Sequence, residues 1–248
     1  MITIKSAKQI EKMRASAKIA KEAVDLIEKA IRPGVSTAYL DKIAHDYIVS
    51  KGARPNFLNY GGFPGSICAS VNDEVVHGIP SKHIILQEGD IISIDMGAVL
   101  DGWHSDMART FGVGKISPEA QQLIDVTKQS FFEGLKFLKH GARLGDVSNA
   151  IQTYAESFGY GVVRDLVGHG IGQNLHEDPS VPNFGKAGHG VRLAAGMTLA
   201  IEPMITAGTY KVSVLDDDWT VVTDDGSLAA HYENTVVITK DGYEILTL

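Results

Sequence analysis

Ile31-Arg-Pro-Gly34, with Tyr47 and Gly52 behind it, returns as Leu138-Lys-His-Gly141 with Tyr154 and Gly159, each residue 107 positions further along the chain. The same step carries Gly89 onto Gly196, Ile94 onto Ile201 and Asp95 onto Glu202. Helix-flanking residues set the offset, so the arrival of one carboxylate on another is a separate observation. Two similar halves meeting face to face bring corresponding strands together around a pseudo-twofold axis. The expectation is a single domain over residues 1–248, with an N-terminal half of about 1–114, a C-terminal half of about 115–248 and a functional centre between them.

The local patterns say where such a centre forms. Asp90-Ile-Ile-Ser-Ile-Asp95 reads as a strand that is apolar apart from Ser93 and its closing carboxylate. Trp103 to Val113 reads as the next strand, after a turn signal at Asp101-Gly102. In a hairpin whose loop holds an even number of residues, opposed residues have numbers of opposite parity. Asp95 and Asp106 meet that condition and should share one face. Glu202 closes Met197-Thr-Leu-Ala-Ile-Glu202 before Pro203, and Glu233 precedes the β-branched run Thr235-Val-Val-Ile-Thr239. Ser6-Ala-Lys-Gln9 has capping-box form and opens a helix patterned by Ile10, Met13, Ala17, Ala20, Val24 and Ile27, which Pro33-Gly34 ends. Helical patterns recur near 37–51, 118–139 and 145–158, and strand patterns at 66–77, 90–113, 162–167, 197–214 and 231–247. The fold class is α+β with antiparallel strands.

Asp95, Asp106, His169, Glu202 and Glu233 together offer four carboxylates and one imidazole. Taken singly, each acid is a turn former or a strand-end charge; the joint set suits a pair of hydrolytic divalent ions. Two cations about 3.5–4 Å apart repel each other, and bridging carboxylates offset that repulsion. The imidazole argues against calcium and for Mn, Fe, Co or Zn. His169 lies in Val167-Gly-His-Gly-Ile-Gly172, where the glycines are expected to allow tight turns and close backbone approach. The chain has no Gly-x-Ser-x-Gly elbow, Walker loop, dinucleotide fingerprint or His-Glu-x-x-His motif, which removes the serine-hydrolase, nucleotide and zincin readings. His77 and His176 flank turns within reach of a cleft, whereas His45, His83, His104, His140 and His189 read as surface or satisfied histidines. Cys68 has no base committed to it and is not read as a nucleophile.

With 44% hydrophobic and 21% charged residues and no linker-like break, the chain can bury one substantial core. A formal charge of −7 provides no basic patch for sequence-blind nucleic-acid binding, although contact with RNA through a larger assembly stays open. The single cysteine rules out intrachain disulfides and fits a reducing compartment, so the cytoplasm is the expected location. No apolar run is long enough to span a membrane or to form a signal-peptide core.

Asp95, Asp106, the segment Gly168-His-Gly-Ile-Gly-Gln-Asn-Leu-His-Glu-Asp-Pro179, Ala200-Ile-Glu-Pro203 and Tyr232-Glu-Asn-Thr235 resemble the type I methionine aminopeptidases, from about Ile10 to Leu248. The length agrees, since type II enzymes carry a helical insertion and Xaa-Pro peptidases usually an additional N-terminal domain. The resemblance implies the pita-bread fold, two pseudo-twofold halves around a curved antiparallel sheet. It implies one metal on Asp106, His169, Glu202 and Glu233 and another on Asp95, Asp106 and Glu233. It also implies that Glu202 shuttles a proton, that His176 stabilises an oxyanion and that His77 contacts substrate near the scissile amide. Tyr60, Phe63, Cys68, Leu175 and Trp219 match the family's pocket for the methionine side chain, with Phe57 flanking it, and sulfur packs well against aromatic edges. The implied partners are N-terminal segments of nascent polypeptides, with room for ribosome proximity. The chain departs from the pattern at Leu175, where many members have phenylalanine, and at His231, where glutamine is common. Other readings of the same residues are an Xaa-Pro peptidase and a non-catalytic peptide-binding protein of this fold.

Overall fold

The computed structural model describes all of residues 1–248. In chain order the N-terminal half comprises α1 (Ala7–Ala30), α2 (Thr37–Ser50), β1 (Arg54–Pro55), β2 (Cys68–Val71), β3 (Glu74–Val76), β4 (Ile91–Leu100) and β5 (Trp103–Gly112). The C-terminal half begins with α3 (Pro118–Leu135), α4 (Leu144–Glu156), β6 (Gly161–Val162), β7 (Gly168–Gly170), β8 (Glu177–Val181) and β9 (Thr198–Ile201). It ends with β10 (Met204–Thr206), β11 (Val212–Val214), β12 (Val221–Thr223), β13 (Ala229–His231), β14 (Glu233–Ile238) and β15 (Tyr243–Ile245).

The sequence repeat is reproduced bond for bond. Gly34 N–H donates to Leu86 O and Gly141 N–H to Leu193 O, both at 2.8 Å, and the bridge Ser36↔Ile85 has its counterpart in Arg143↔Arg192. Gly34 and Gly141 have φ of 86° and 85°, and Gly89 and Gly196 have 93° and 89°. These left-handed turns, which only glycine adopts without penalty, start β4 and β9 at equivalent points. The strands therefore inherit the offset, and the register continues it: Ile94↔Arg109 in the first half corresponds to Ile201↔Asn234 in the second.

The main sheet runs β1-β4-β5-β14-β9-β7-β8, all antiparallel, so the β5–β14 pairing joins the two halves in its middle. The helices cover one face. In the N-terminal half, Ile19, Val24 and Ile27 of α1 pack with Ile92, Ile94, Met96 and Met107; in the C-terminal half, Phe131, Leu135 and Ile151 pack with Leu199, Ile201 and Val236. Ile94 and Met96 bracket Asp95, so alternation along the strand turns that acid to the opposite, inner face. This is the α+β pita-bread arrangement expected from the sequence.

Most elements form where the patterns placed them. The Ser6–Gln9 capping box is made, with Ser6 N–H donating to Gln9 Oε1 at 2.8 Å. Two placements differ. The strand expected over 162–167 is confined to Gly161–Val162, and the glycine-rich segment 167–172 holds β7 rather than a turn, paired with β8 where no strand was expected. No helix is long and apolar enough to cross a membrane.

Candidate metal centre

The register of the sheet places the four sequence-selected acids and the one imidazole on its inner face. The turn at Asp101-Gly102 holds two residues, Leu100 opposes Trp103, and Asp95 opposes Ala108. Asp106 lies two residues before Ala108 and so shares the face of Asp95, as parity requires. From the other side Glu233 also opposes Ala108, while Cys68 opposes Asp95, giving one row across four strands: Cys68, Asp95, Ala108, Glu233. A second row runs His169, Ala200, Thr235, because His169 opposes Ala200 and Ala200 opposes Thr235. Glu202 lies two residues beyond Ala200. The small side chains of Ala108 and Ala200 leave the space between these rows to the charged groups.

The ring of His169 is fixed with one nitrogen free. Its Nδ1 donates to the Gly170 carbonyl at 2.8 Å, which leaves the Nε2 lone pair facing Asp106 Oδ2 at 3.8 Å and Glu202 Oε1 at 3.7 Å. One ligand atom from each of Asp106, His169 and Glu233 lies within 4.8 Å of the other two. Asp106 is anchored by its backbone, which donates to and accepts from the Thr235 hydroxyl at 2.9 Å.

Electrostatics shows what the cluster lacks. Burial is the largest cause pushing the carboxyls of Asp95, Asp106, Glu202 and Glu233 well above their usual range, and each is pushed further by one or more of the other three. Arg109 opposes this at Glu233, but its guanidinium is occupied by the carbonyls of Ala108 and Glu233 and by Asn234 Oδ1. Asp95 Oδ1 and Glu233 Oε1 are buried with no hydrogen-bond partner. Burial also lowers the imidazoles, His169 to about 4 with His176 adding to the effect, so the histidines stay neutral and contribute no positive charge. Four acids, orphaned oxygens and a free imidazole lone pair fit divalent cations, which supply the missing charge.

A cavity of ≈ 170 Å³ opens over this cluster, and the 13 residues lining it are the thirteen singled out from the sequence. Phe63 and Trp219 meet edge to face at 5.2 Å, and Tyr60 packs beside His176 with ring centres 5.3 Å apart. Leu175 and Cys68 are buried and line the cavity. His77 holds a left-handed φ of 61° and points its ring toward Trp219, a backbone state that is uncommon for histidine. Burial and the neighbouring Asp95 raise the Cys68 thiol well above its usual pKa, which keeps it protonated and non-nucleophilic. His45 and His104 are satisfied by Ser66 Oγ and Asn56 Oδ1, each at 2.9 Å, as their bland reading required.

One reading of the glycines is corrected. Gly168 and Gly170 do not have left-handed φ; their role is close packing of β7 between two neighbours. A Cβ at Gly168 would lie 2.4 Å from Ala200 O, and one at Gly170 would lie 2.1 Å from Asp178 O. Both obstacles are backbone atoms that cannot rotate away. Gly170→Ala should therefore destabilise the protein by about 1–3 kcal/mol, and the urea midpoint will show it. A residue whose importance the sequence did not signal is Arg109, whose guanidinium also stacks on Tyr232 at 4.3 Å and ties β5 to β14 behind the cluster.

Residues 11–240 match metallopeptidase family M24. The methionine aminopeptidase of Clostridium acetobutylicum is 60% identical, the match covering 100% of this chain and 99% of that protein. The crystal structure of methionine aminopeptidase from Rickettsia prowazekii superposes with a TM-score of 0.98 at 46% identity, covering 100% of both chains. The Xaa-Pro dipeptidase from Bacillus anthracis shares the fold, with a TM-score of 0.80 at 24% identity, over 98% of this chain but 61% of that one. Full coverage and high identity go with the first two, and the inner-face acids and imidazole give the family match its chemistry: the chain belongs to metallopeptidase family M24 and, within it, to the methionine aminopeptidases.

Proposed function

We propose that this chain removes the N-terminal methionine from nascent polypeptides in the cytoplasm, favouring a small second residue. The observation that supports it is the contact between a buried four-acid cluster with one free imidazole nitrogen and an apolar, aromatic-walled cavity. Asp106, His169, Glu202 and Glu233 would hold one divalent ion and Asp95, Asp106 and Glu233 another, with Asp106 and Glu233 shared. Bound there, ions such as Mn, Fe, Co or Zn neutralise the acids, lower the pKa of water and polarise a substrate carbonyl.

The remaining steps belong to side chains. Glu202, with a side chain 13% exposed, stands at the edge of the cluster, where it takes a proton from the attacking water and returns it to the leaving amine. Tyr60 Oη lies 2.8 Å from His176 Nδ1. If the phenol donates, the imidazole proton resides on Nε2, free to donate to the carbonyl oxygen as charge develops there. His77 contacts substrate near the scissile amide. Phe57, Phe63, Leu175, Cys68 and Trp219 take the methionine thioether. A free α-amino group would find its partner at the ion held by Asp95, Asp106 and Glu233, so an acetylated or formylated terminus is refused.

The test loads the protein with Mn, Co or Fe and compares Met-Ala-Ser, Met-Leu-Ser, acetyl-Met-Ala-Ser and Xaa-Pro peptides. Cleavage of Met-Ala-Ser alone is expected. Preferred turnover of Xaa-Pro would replace this reading with the prolidase one, and no turnover with any metal would leave only a binding role. Tyr60→Phe provides a finer check: loss of the tautomer-setting phenol should cut kcat about tenfold with KM nearly unchanged.

A further inference from the structure

His231 is the one imidazole beside the cluster that neither the ligand set nor the cavity uses. Its side chain is fully buried, and both ring nitrogens lack a hydrogen-bond partner. Buried polar atoms are rarely left so, and an unpaired pair in one ring calls for an explanation.

Three observations converge on one role. First, the pseudo-twofold register gives His231 an address. The pair Ile94↔Arg109 corresponds to Ile201↔Asn234, and three residues further Gly97↔Asp106 corresponds to Met204↔His231. His231 thus occupies in the C-terminal half the place that Asp106 takes in the N-terminal half. Second, its backbone is clamped: Thr110 Oγ1 accepts from His231 N–H at 2.8 Å and donates to His231 O at 2.9 Å, so the ring cannot drift. Third, the ring meets Glu202. His231 Nε2 lies 3.6 Å from Glu202 Oε2, while Glu202 Oε1 lies 3.7 Å from His169 Nε2. The carboxylate is bracketed by two imidazoles, one oxygen to each, and a shift of a few tenths of an ångström (~0.5 Å) closes the His231 approach to a hydrogen bond.

We propose that His231 is a positioning residue that donates Nε2–H to Glu202 Oε2 and so fixes the rotamer in which Oε1 faces His169 and the cation site. The inference rests on the metallopeptidase reading above. Outer-shell donors of this kind orient the ligand and restrict its rotation. Glutamine offers a donor of similar reach; leucine fills the space without one.

The experiment compares wild type, His231→Leu and His231→Gln by calorimetric titration of the metal-free proteins with Mn²⁺, by the kcat and KM of the Mn²⁺-loaded proteins, and by metal-free Tm. His231→Leu should weaken Mn²⁺ binding roughly 10–100-fold and cut kcat about tenfold with KM within a factor of about two. Its metal-free Tm should hold, because loss of the approach to Glu202 is offset by removal of a buried Nδ1 that has no partner. His231→Gln should restore both affinity and kcat to within about threefold of wild type. A leucine variant with wild-type Mn²⁺ affinity and turnover would overturn the assignment, as would a glutamine variant as impaired as the leucine one. Should leucine not fold, His231→Met makes the same donor-free comparison. Wild-type protein that binds no Mn²⁺ would sink the metallopeptidase reading itself, whereas wild-type binding with an unaffected leucine variant would sink only the positioning role.

Discussion

Asp106→Asn is expected to lower kcat/KM for Met-Ala-Ser by at least about 10³-fold while leaving the fold intact. The two halves of that statement have separate causes. The fold persists because Thr235 grips the backbone N–H and carbonyl of Asp106, not its side chain, so the β5–β14 junction does not depend on the carboxylate. Activity is lost because Asp106 is the proposed shared ligand, adjacent to His169 and Glu233, and an amide can neither bridge two cations nor neutralise them. A third consequence separates this from ordinary damage. Asp106 raises the carboxyl pKa of both Glu202 and Glu233, so removing its charge relieves repulsion inside a buried site. The metal-free variant should therefore melt at or above the temperature of metal-free wild type. Steady-state kinetics, Mn²⁺ calorimetry and thermal melts in chelator measure the three parts. A variant that retained wild-type turnover would remove Asp106 from the centre, and one that melted much earlier would mean the carboxylate is structural.

The five candidate ligands were legible because each piece of evidence for them is one-dimensional. Parity along one hairpin set Asp95 and Asp106 on a common face, and the helix-derived offset set Glu202 against Asp95; both survive in the register. Left-handed glycines could be matched in pairs, because a turn needing positive φ accepts few other residues. Failures arise where the decisive partner is distant in sequence. Gly168 and Gly170 look like loop glycines until Ala200 O and Asp178 O are seen to press on them. Likewise β8, Glu-Asp-Pro-Ser-Val, contains a proline and little strand propensity, and it pairs only because it borders β7. His231 could be marked as a departure from a family pattern, but its orphaned nitrogens and its approach to Glu202 depend on β13 pairing with β10, just beyond Glu202, outside the main sheet.

Stripping the metal is expected to abolish hydrolysis reversibly and to lower Tm by about 5–10 °C at pH 7.5. That range follows from about 2.7 kcal/mol of linkage when Mn²⁺ stands at a hundredfold its Kd and from about 2–4 °C per kcal/mol in a chain of this size. The pH dependence of the metal-free protein adds a stricter check. Asp95, Asp106, Glu202 and Glu233 all have folded-state pKa values raised, first by burial and then by one another. Between the unfolded values near about 4 and those raised values, the native state binds more protons than the unfolded one. Its stability therefore falls as pH climbs through that window, and below the unfolded pKa the penalty vanishes. Glu177 has the opposite slope. Burial pushes its carboxyl up, but hydrogen bonds from Lys5, Thr3 and Asn174 N–H outweigh that and lower it, so its contribution is lost as pH falls below about 4. The metal-free protein should accordingly be most stable in mildly acidic solution. Cations bind the cluster only as its protons leave, so stabilisation by Mn²⁺ should grow from pH 5.5 to 7.5. Melts with and without chelator across that range provide the measurement. A Tm gap that stayed constant with pH would mean that the buried carboxyls are not the groups that take the ions.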